Sequence, residues 1–193
     1  MPKIVDHDAY RKELLSQCFD LFAEQGYGSI TMRQIAQGLK VSTGTLYHYF
    51  PSKEAIFEQL MESMAQQDIS QVIETLKDTE TVGERIEIAF AFIEENRDRL
   101  EKQTLLMADY YQHQQRQKGS RSKVIQQIEQ QIKELVMNVM KIDDSDVVDL
   151  VLSLVDGLMF AKVYDGEPIS IARQGKVLAK MVTAYMALKQ LQV

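Results

Sequence analysis

The sequence predicts an all-α chain in two parts, and three observations predict it. Helical periodicity runs almost throughout, while strand alternation is nearly absent. Only three prolines and nine glycines punctuate 193 residues. Apolar residues make up 45% and charged residues 26%, the balance of an ordinary globular protein. The expected architecture is an N-terminal three-helix unit of helix-turn-helix form, residues 1–53, followed by a helical bundle, residues 54–193. The last two long helices of that bundle are expected to pair with those of a second copy.

The first helix is expected from Asp8 to Gln25. Leu15, Cys18, Phe19 and Phe22 fall at i, i+3, i+4 and i+7 and give it one buried stripe. Gly26 ends it, as glycine does just past a helix. Cys18 reads as a small core residue, and one cysteine allows neither an intramolecular disulfide nor a cysteine zinc site in this sequence. Thr31 followed by Gln34 is a capping box for a short helix from Met32 to about Leu39, with Ile35, Ala36 and Leu39 inward. Val41 and Ser42 turn the chain, and Ser42 caps a third helix in which Leu46 and Phe50 face inward. Pro51 stops that helix, and Ser52 caps a fourth starting at Lys53. Two short helices joined by a tight turn and braced by a longer one make a helix-turn-helix unit. The spacing alone leaves a DNA-binding module and a protein-interaction pair both open.

The fourth helix is expected to reach about Lys77, with Ile56, Phe57, Leu60, Met61 and Met64 on one side. Further helices are expected over Val82–Glu95, about Leu100–Gln115 and about Lys123–Met140, with a polar loop in 112–123. "KIDDSD" supplies the next N-cap. Val147 to Tyr164 is apolar almost all round, but Asp149, Asp156 and Lys162 interrupt it, so burial in a bundle and against a partner explains it better than a membrane. "YDGEP" ends this helix. The last helix, about Ile169–Leu191, carries Val177, Leu178, Met181, Val182, Tyr185, Leu188 and Leu191. These two helices offer more apolar surface than one subunit covers, so a homodimer is expected.

Net charge is −6, but it is unevenly spread. Residues 1–53 hold six Lys/Arg against five Asp/Glu; the remainder holds sixteen against twenty-three. Nucleic-acid binding needs local positive charge rather than a basic whole, so the acidic total does not exclude it. "MPKIVDHDAYRKEL" lacks the apolar run of a signal peptide, and a cytoplasmic location is expected. No Gly-rich phosphate loop or nucleophile motif points to an enzyme. His48 has no second ligand at helical spacing, so neither a metal nor a cofactor is expected.

The stretch "LFAEQGYGSITMRQIAQGLKVSTGTLYHYFPSKEAIF" strongly resembles the N-terminal DNA-binding segment of the TetR family of bacterial transcription regulators. The order, the spacing and the aromatic cluster all agree over about 45 residues, Leu14 to Phe57; beyond them, only length and helical character do. The resemblance implies a sequence-specific regulator of double-stranded operator DNA, a repressor, with a C-terminal domain that dimerises and binds a small-molecule effector. It places Thr31 and Arg33 at the phosphate-facing start of the second helix. It places Ser42, Thr43, Gly44 and Thr45 at the groove-facing start of the recognition helix, where Thr43 and Thr45 would meet base edges. Tyr47, His48 and Tyr49 would reach phosphates or brace the groove walls, Tyr49 being the one most expected to be partly buried. Lys53 would clamp a phosphate. Two residues depart from the family pattern. Lys40 stands where glycine is common in the turn, at a cost on the order of 1 kcal/mol if that turn is left-handed, and is a candidate phosphate contact. Gly38 stands where alanine is usual and would loosen the end of the second helix. By residue type, Met64, Phe90, Met107, Tyr110, Tyr111, Met137 and Phe160 are the candidates for an adaptable effector pocket, with ordinary core packing as the alternative for each.

Overall fold

A computed structural model describes residues 6–116, 122–165 and 169–191, the side chains of 162–165 excepted. Among the described residues the elements are nine helices and no strand. They are α1 His7–Gln25, α2 Met32–Gly38, α3 Thr43–Tyr49, α4 Lys53–Thr75, α5 Val82–Glu95, α6 Arg97–Arg116, α7 Lys123–Val139, α8 Ser145–Asp165 and α9 Ile171–Gln190.

The helix starts are set by local hydrogen bonding. The Asp6 carboxylate accepts from the N–H groups of Asp8 and Ala9 at the start of α1. Thr31 and Gln34 form the expected capping box, and Thr81 with Glu84 forms a second at α5. Ser42 caps α3 by accepting from Thr45 N at 2.9 Å, and Ser52 accepts from Ala55 N at 3.1 Å in the first turn of α4. Asp144, in the expected "KIDDSD" stretch, accepts from Asp146 N and Val147 N before α8. Each such cap is worth about 0.5–2 kcal/mol because it satisfies donors that the helix itself cannot. Gly26 closes α1 at φ 76° and donates its N–H to Phe22 O.

The chain divides into two compact units, and α4 and α6 contribute to both. The first holds residues 1–65 and 105–128; the second holds 66–104 and 129–193. Packing explains why the first unit extends past residues 1–53 and takes in part of α6. In the first unit Phe57 of α4 stacks on Tyr110 of α6 (4.4 Å between centroids, 12° between planes). Tyr27 meets both rings edge-on at 4.9 Å, and Phe22 meets Phe57 at 5.7 Å. All four are at most 3% exposed. Each such side chain stabilises by roughly 1.5–3 kcal/mol through area removed from water. Cys18, fully buried in α1, donates its Sγ–H to Leu14 O, and burial pushes its thiol up to about 12.

In the second unit α5 and α9 make the most extensive helix pair. Gly175 is what allows it: a Cβ there would lie 2.3 Å from Phe90 Cβ. Val148, Val151, Leu158 and Met159 of α8 join the same core. Arg85 is buried with its guanidinium donating to Val139 O and Thr79 O, both at 2.5 Å, which ties the α4–α5 connection to the end of α7.

Some expected bounds move. α6 begins at Arg97 rather than Leu100 and runs through 112–116, where a loop was expected. Gln114 holds that last turn by donating to Glu54 Oε1 at 2.6 Å and to the Tyr110 hydroxyl at 3.1 Å. The rest of the expected loop up to 121 lies outside the described residues, as does 166–168 of "YDGEP" and the Tyr164 side chain. α8 opens two residues earlier than expected, at Ser145, because Asp144 caps it there.

Candidate nucleic-acid interface

α3 is a seven-residue helix held from behind. Leu46 and Phe50 are fully buried, and Phe50 N–H closes the helix on Leu46 O. That anchoring turns the other residues outward. Ser42, Thr43, Gly44, Tyr47 and His48 are exposed, Tyr47 at 52%. Thr45 is half-buried, and its hydroxyl shares a 2.8 Å hydrogen bond with Ser42 Oγ. A Cβ at Gly44 would meet only Ser42 Oγ, at 3.7 Å, so internal packing does not require a glycine there.

Tyr49 is half-buried, as expected of the three consecutive aromatics. Its ring packs edge-on against Tyr10 at 5.4 Å and lies 5.0 Å from His48, and its hydroxyl is bonded to His7 Nδ1 at 2.7 Å. Successive helical residues point about 100° apart, so three in a row cannot all face one partner; here Tyr47 and His48 take the outer positions.

The turn between α2 and α3 is left-handed at Lys40, with φ 56°. Lys40 N–H bonds Gln37 O at 3.1 Å and Val41 N–H bonds Ala36 O at 3.0 Å, which fixes the turn, while the Lys40 side chain stays exposed. Gly38, expected to loosen the end of α2, instead lets it approach α1: a Cβ there would lie 2.5 Å from Leu21 Cδ2. At the start of α2, Arg33 is exposed, whereas the Thr31 hydroxyl is occupied in its capping box at 2.6 Å from Gln34 Oε1.

Lys53 is half-buried and bonded within its own unit. Its Nζ donates to Tyr27 O at 2.6 Å and sits 4.5 Å from the Tyr27 ring centroid. Burial pulls the Lys53 pKa below the usual lysine value, and the nearby Asp109 carboxylate opposes this. Asp109 also accepts from Gly28 N at 3.1 Å, so α6 fastens the turn between α1 and α2. His7 and Tyr10 carry no signal in the sequence: their shared partner, Tyr49, lies 42 and 39 residues away.

The seven pocket candidates do not assemble into one site within either unit. Met64, Met107, Tyr110 and Tyr111 belong to the first unit, and Phe90, Met137 and Phe160 to the second. Tyr110 and Phe90, each 1% exposed, are core residues, filled in by aromatic stacking and by the α5–α9 crossing. The second unit does carry an open groove of about 500 Å³ between α4 and α7, lined by Gln66, Ile69, Ser70, Ile73, Gln131, Glu134, Leu135, Asn138 and Val139. None of the seven lines it. Among the described residues no cluster of three metal-ligating side chains occurs, and no helix is long and apolar enough to cross a membrane.

Residues 14–60 match the family model described as bacterial regulatory proteins, tetR family. The transcriptional regulator HbdR of Aromatoleum sp. (strain CIB) is 38% identical over 78 residues, which cover 39% of this chain and 33% of that protein. The transcriptional repressor KstR2 of Mycobacterium tuberculosis is 43% identical over 51 residues, 26% of each chain. The chain thus spans only a third or less of the length of these curated relatives. In three dimensions the likeness is longer. The solved structure of KstR2, a ketosteroid transcriptional regulator, matches 95% of this chain and 93% of its own at a TM-score of 0.60 and 23% identity. The regulator FadR of Bacillus subtilis, solved in complex with stearoyl-CoA, matches 88% of this chain and 96% of its own at a TM-score of 0.63 and 16% identity. Residues 14–60 are thus similar in sequence to the tetR family of bacterial regulatory proteins, and nearly the whole length of the chain is similar in fold to solved transcriptional regulators.

Proposed function

We propose that the chain is a homodimeric repressor that binds a near-palindromic operator through α3 and is released from it by a small-molecule effector. The observation that carries DNA binding is the outer face of α3. Thr43, Gly44, Tyr47 and His48 are uncovered, short or aromatic, and flanked by the exposed cations Arg33 and Lys40. A glycine that internal packing does not need suits a close approach of another molecule, and small hydroxyls with tyrosines suit a groove walled by phosphates.

Dimerisation is supported by α8 and α9. Val177, Met181, Tyr185 and Leu188 form an exposed apolar stripe on α9, and on α8 Leu150 is exposed while Gly157 has nothing within 4 Å of an added Cβ. A two-fold dimer would set two α3 helices into successive major grooves, about 34–36 Å apart. The effector reading draws on the open groove of the second unit and on the stearoyl-CoA held by FadR. Such an effector acts by favouring a dimer whose α3 spacing no longer fits the operator, which requires it to bind that state more tightly.

Enrichment of random duplex DNA on the purified dimer tests the reading. A palindrome with two half-sites should emerge, bound less tightly as salt rises. Tyr47→Ala and Gly44→Ala should each weaken it by about 1–3 kcal/mol with unfolding unchanged or, for Gly44→Ala, slightly improved. No enriched palindrome together with salt-independent binding would sink the proposal.

A further inference from the structure

We propose that His7 is a positioning residue of the DNA interface, acting on Tyr49 through their hydrogen bond; the inference rests on the DNA-binding reading above. Tyr49 is the last residue of α3, and its hydroxyl meets His7 Nδ1 at 2.7 Å across 42 residues of sequence. The bond is held at both ends. The Asp6 cap fixes His7 in the first turn of α1. Tyr10, on the next position of the same helix face, braces the Tyr49 ring at 5.4 Å. Arg11, one turn after His7, reaches over the Phe50 ring at 5.5 Å and donates to Gln59 Oε1 at 2.5 Å. The first two turns of α1 therefore bracket the C-terminal end of α3.

The proton bookkeeping gives the bond its use. A tyrosine hydroxyl has one hydrogen and two lone pairs. If Tyr49 donated to His7, it would have no hydrogen for a phosphate. With the proton on Nδ1, His7 donates to Tyr49 Oη instead. The Tyr49 hydrogen is then free to point outward, and the incoming bond polarises it toward an anionic acceptor. His7 thus sets both the place and the direction of a phosphate donor at the end of the recognition helix, without needing to touch DNA.

The test is a double-mutant cycle on the enriched operator at fixed salt, with thermal unfolding of each full-length variant alongside. His7→Ala and Tyr49→Phe should each weaken binding by about three- to tenfold, the worth of one net hydrogen bond. The double variant should be no weaker than either single one. His7→Asn, whose amide N–H stands near the place of Nδ1–H, should bind within about twofold of wild type. Midpoints should stay within about 2 °C. Wild-type affinity in His7→Ala, losses that multiply in the double variant, or an affinity loss that simply follows a fall in unfolding midpoint would each overturn the assignment. Wild-type protein that binds no duplex would overturn the DNA-binding reading itself, and this role with it.

Discussion

α3 and α9 each turn one side away from their own unit, and the two sides differ in kind. On α3 the uncovered residues are Thr43, Gly44, Tyr47 and His48; on α9 they are Val177, Met181, Tyr185 and Leu188. Both helices are anchored by an apolar inner side, Leu46 with Phe50 in one case and Leu178, Ala179 and Val182 in the other. The inner sides are interchangeable in chemistry, and they say only that each helix folds. The outer sides tell the proposed partners apart. Hydroxyls and aromatic edges can be hydrated until a phosphate-lined surface replaces the water, whereas a contiguous apolar stripe marks a surface for another apolar surface.

The largest effect is expected on the inner side of α9. Gly175→Ala drives a methyl into Phe90 Cβ, an atom next to the backbone that cannot swing away. It should cost about 1–3 kcal/mol, seen as a fall in urea midpoint. If stability is unchanged, the α5–α9 crossing is looser than described. On the outer side, Met181→Glu, at a residue 59% exposed, should leave the monomer folded and raise the dimer dissociation constant by at least about tenfold in sedimentation equilibrium. An unaltered dimer would move the proposed interface off α9.

Lys40→Gly separates backbone from charge beside α3. Releasing φ 56° from a residue with a Cβ should stabilise the chain by about 1 kcal/mol or less. If the ammonium also meets a phosphate, the salt slope of operator binding should fall by about one at the same time. A smaller effect is expected at the foot of α8. Lys189 above all, then Tyr185 and two backbone N–H groups, hold the Asp144 carboxyl down at about 2. A carboxyl depressed on folding stabilises fully above its unfolded range and loses that contribution as pH falls from about 4 toward 2. Urea midpoints across that window should therefore drop more steeply in wild type than in Asp144→Asn, which starts lower at neutral pH.

How much of this was legible depended on distance along the chain. The Thr31–Gln34 box, the Ser42 and Ser52 caps and the span of α5 were all readable, because cap and helix are neighbours in sequence. The left-handed turn was readable as a question, because Lys40 occupied a place where glycine was expected. The bond from Lys53 Nζ to Tyr27 O was not legible, since its acceptor is 26 residues back. The pocket candidates were chosen by residue type. Type does not say which unit a helix segment joins, and Tyr110 went to the core of the first unit.

That placement of Tyr110 bears on how the module can be borrowed. A graft that moved only residues 1–65 onto the body of a relative would strip Tyr110 from Phe57 and Tyr27, and would leave Gly28 N–H and Glu54 without Asp109 and Gln114. The transplant would carry the reading head and abandon its backing plate. A chimera that keeps the borrowed specificity has to take the second half of α6 along, although nearly 40 residues of the other unit lie between the two pieces in sequence.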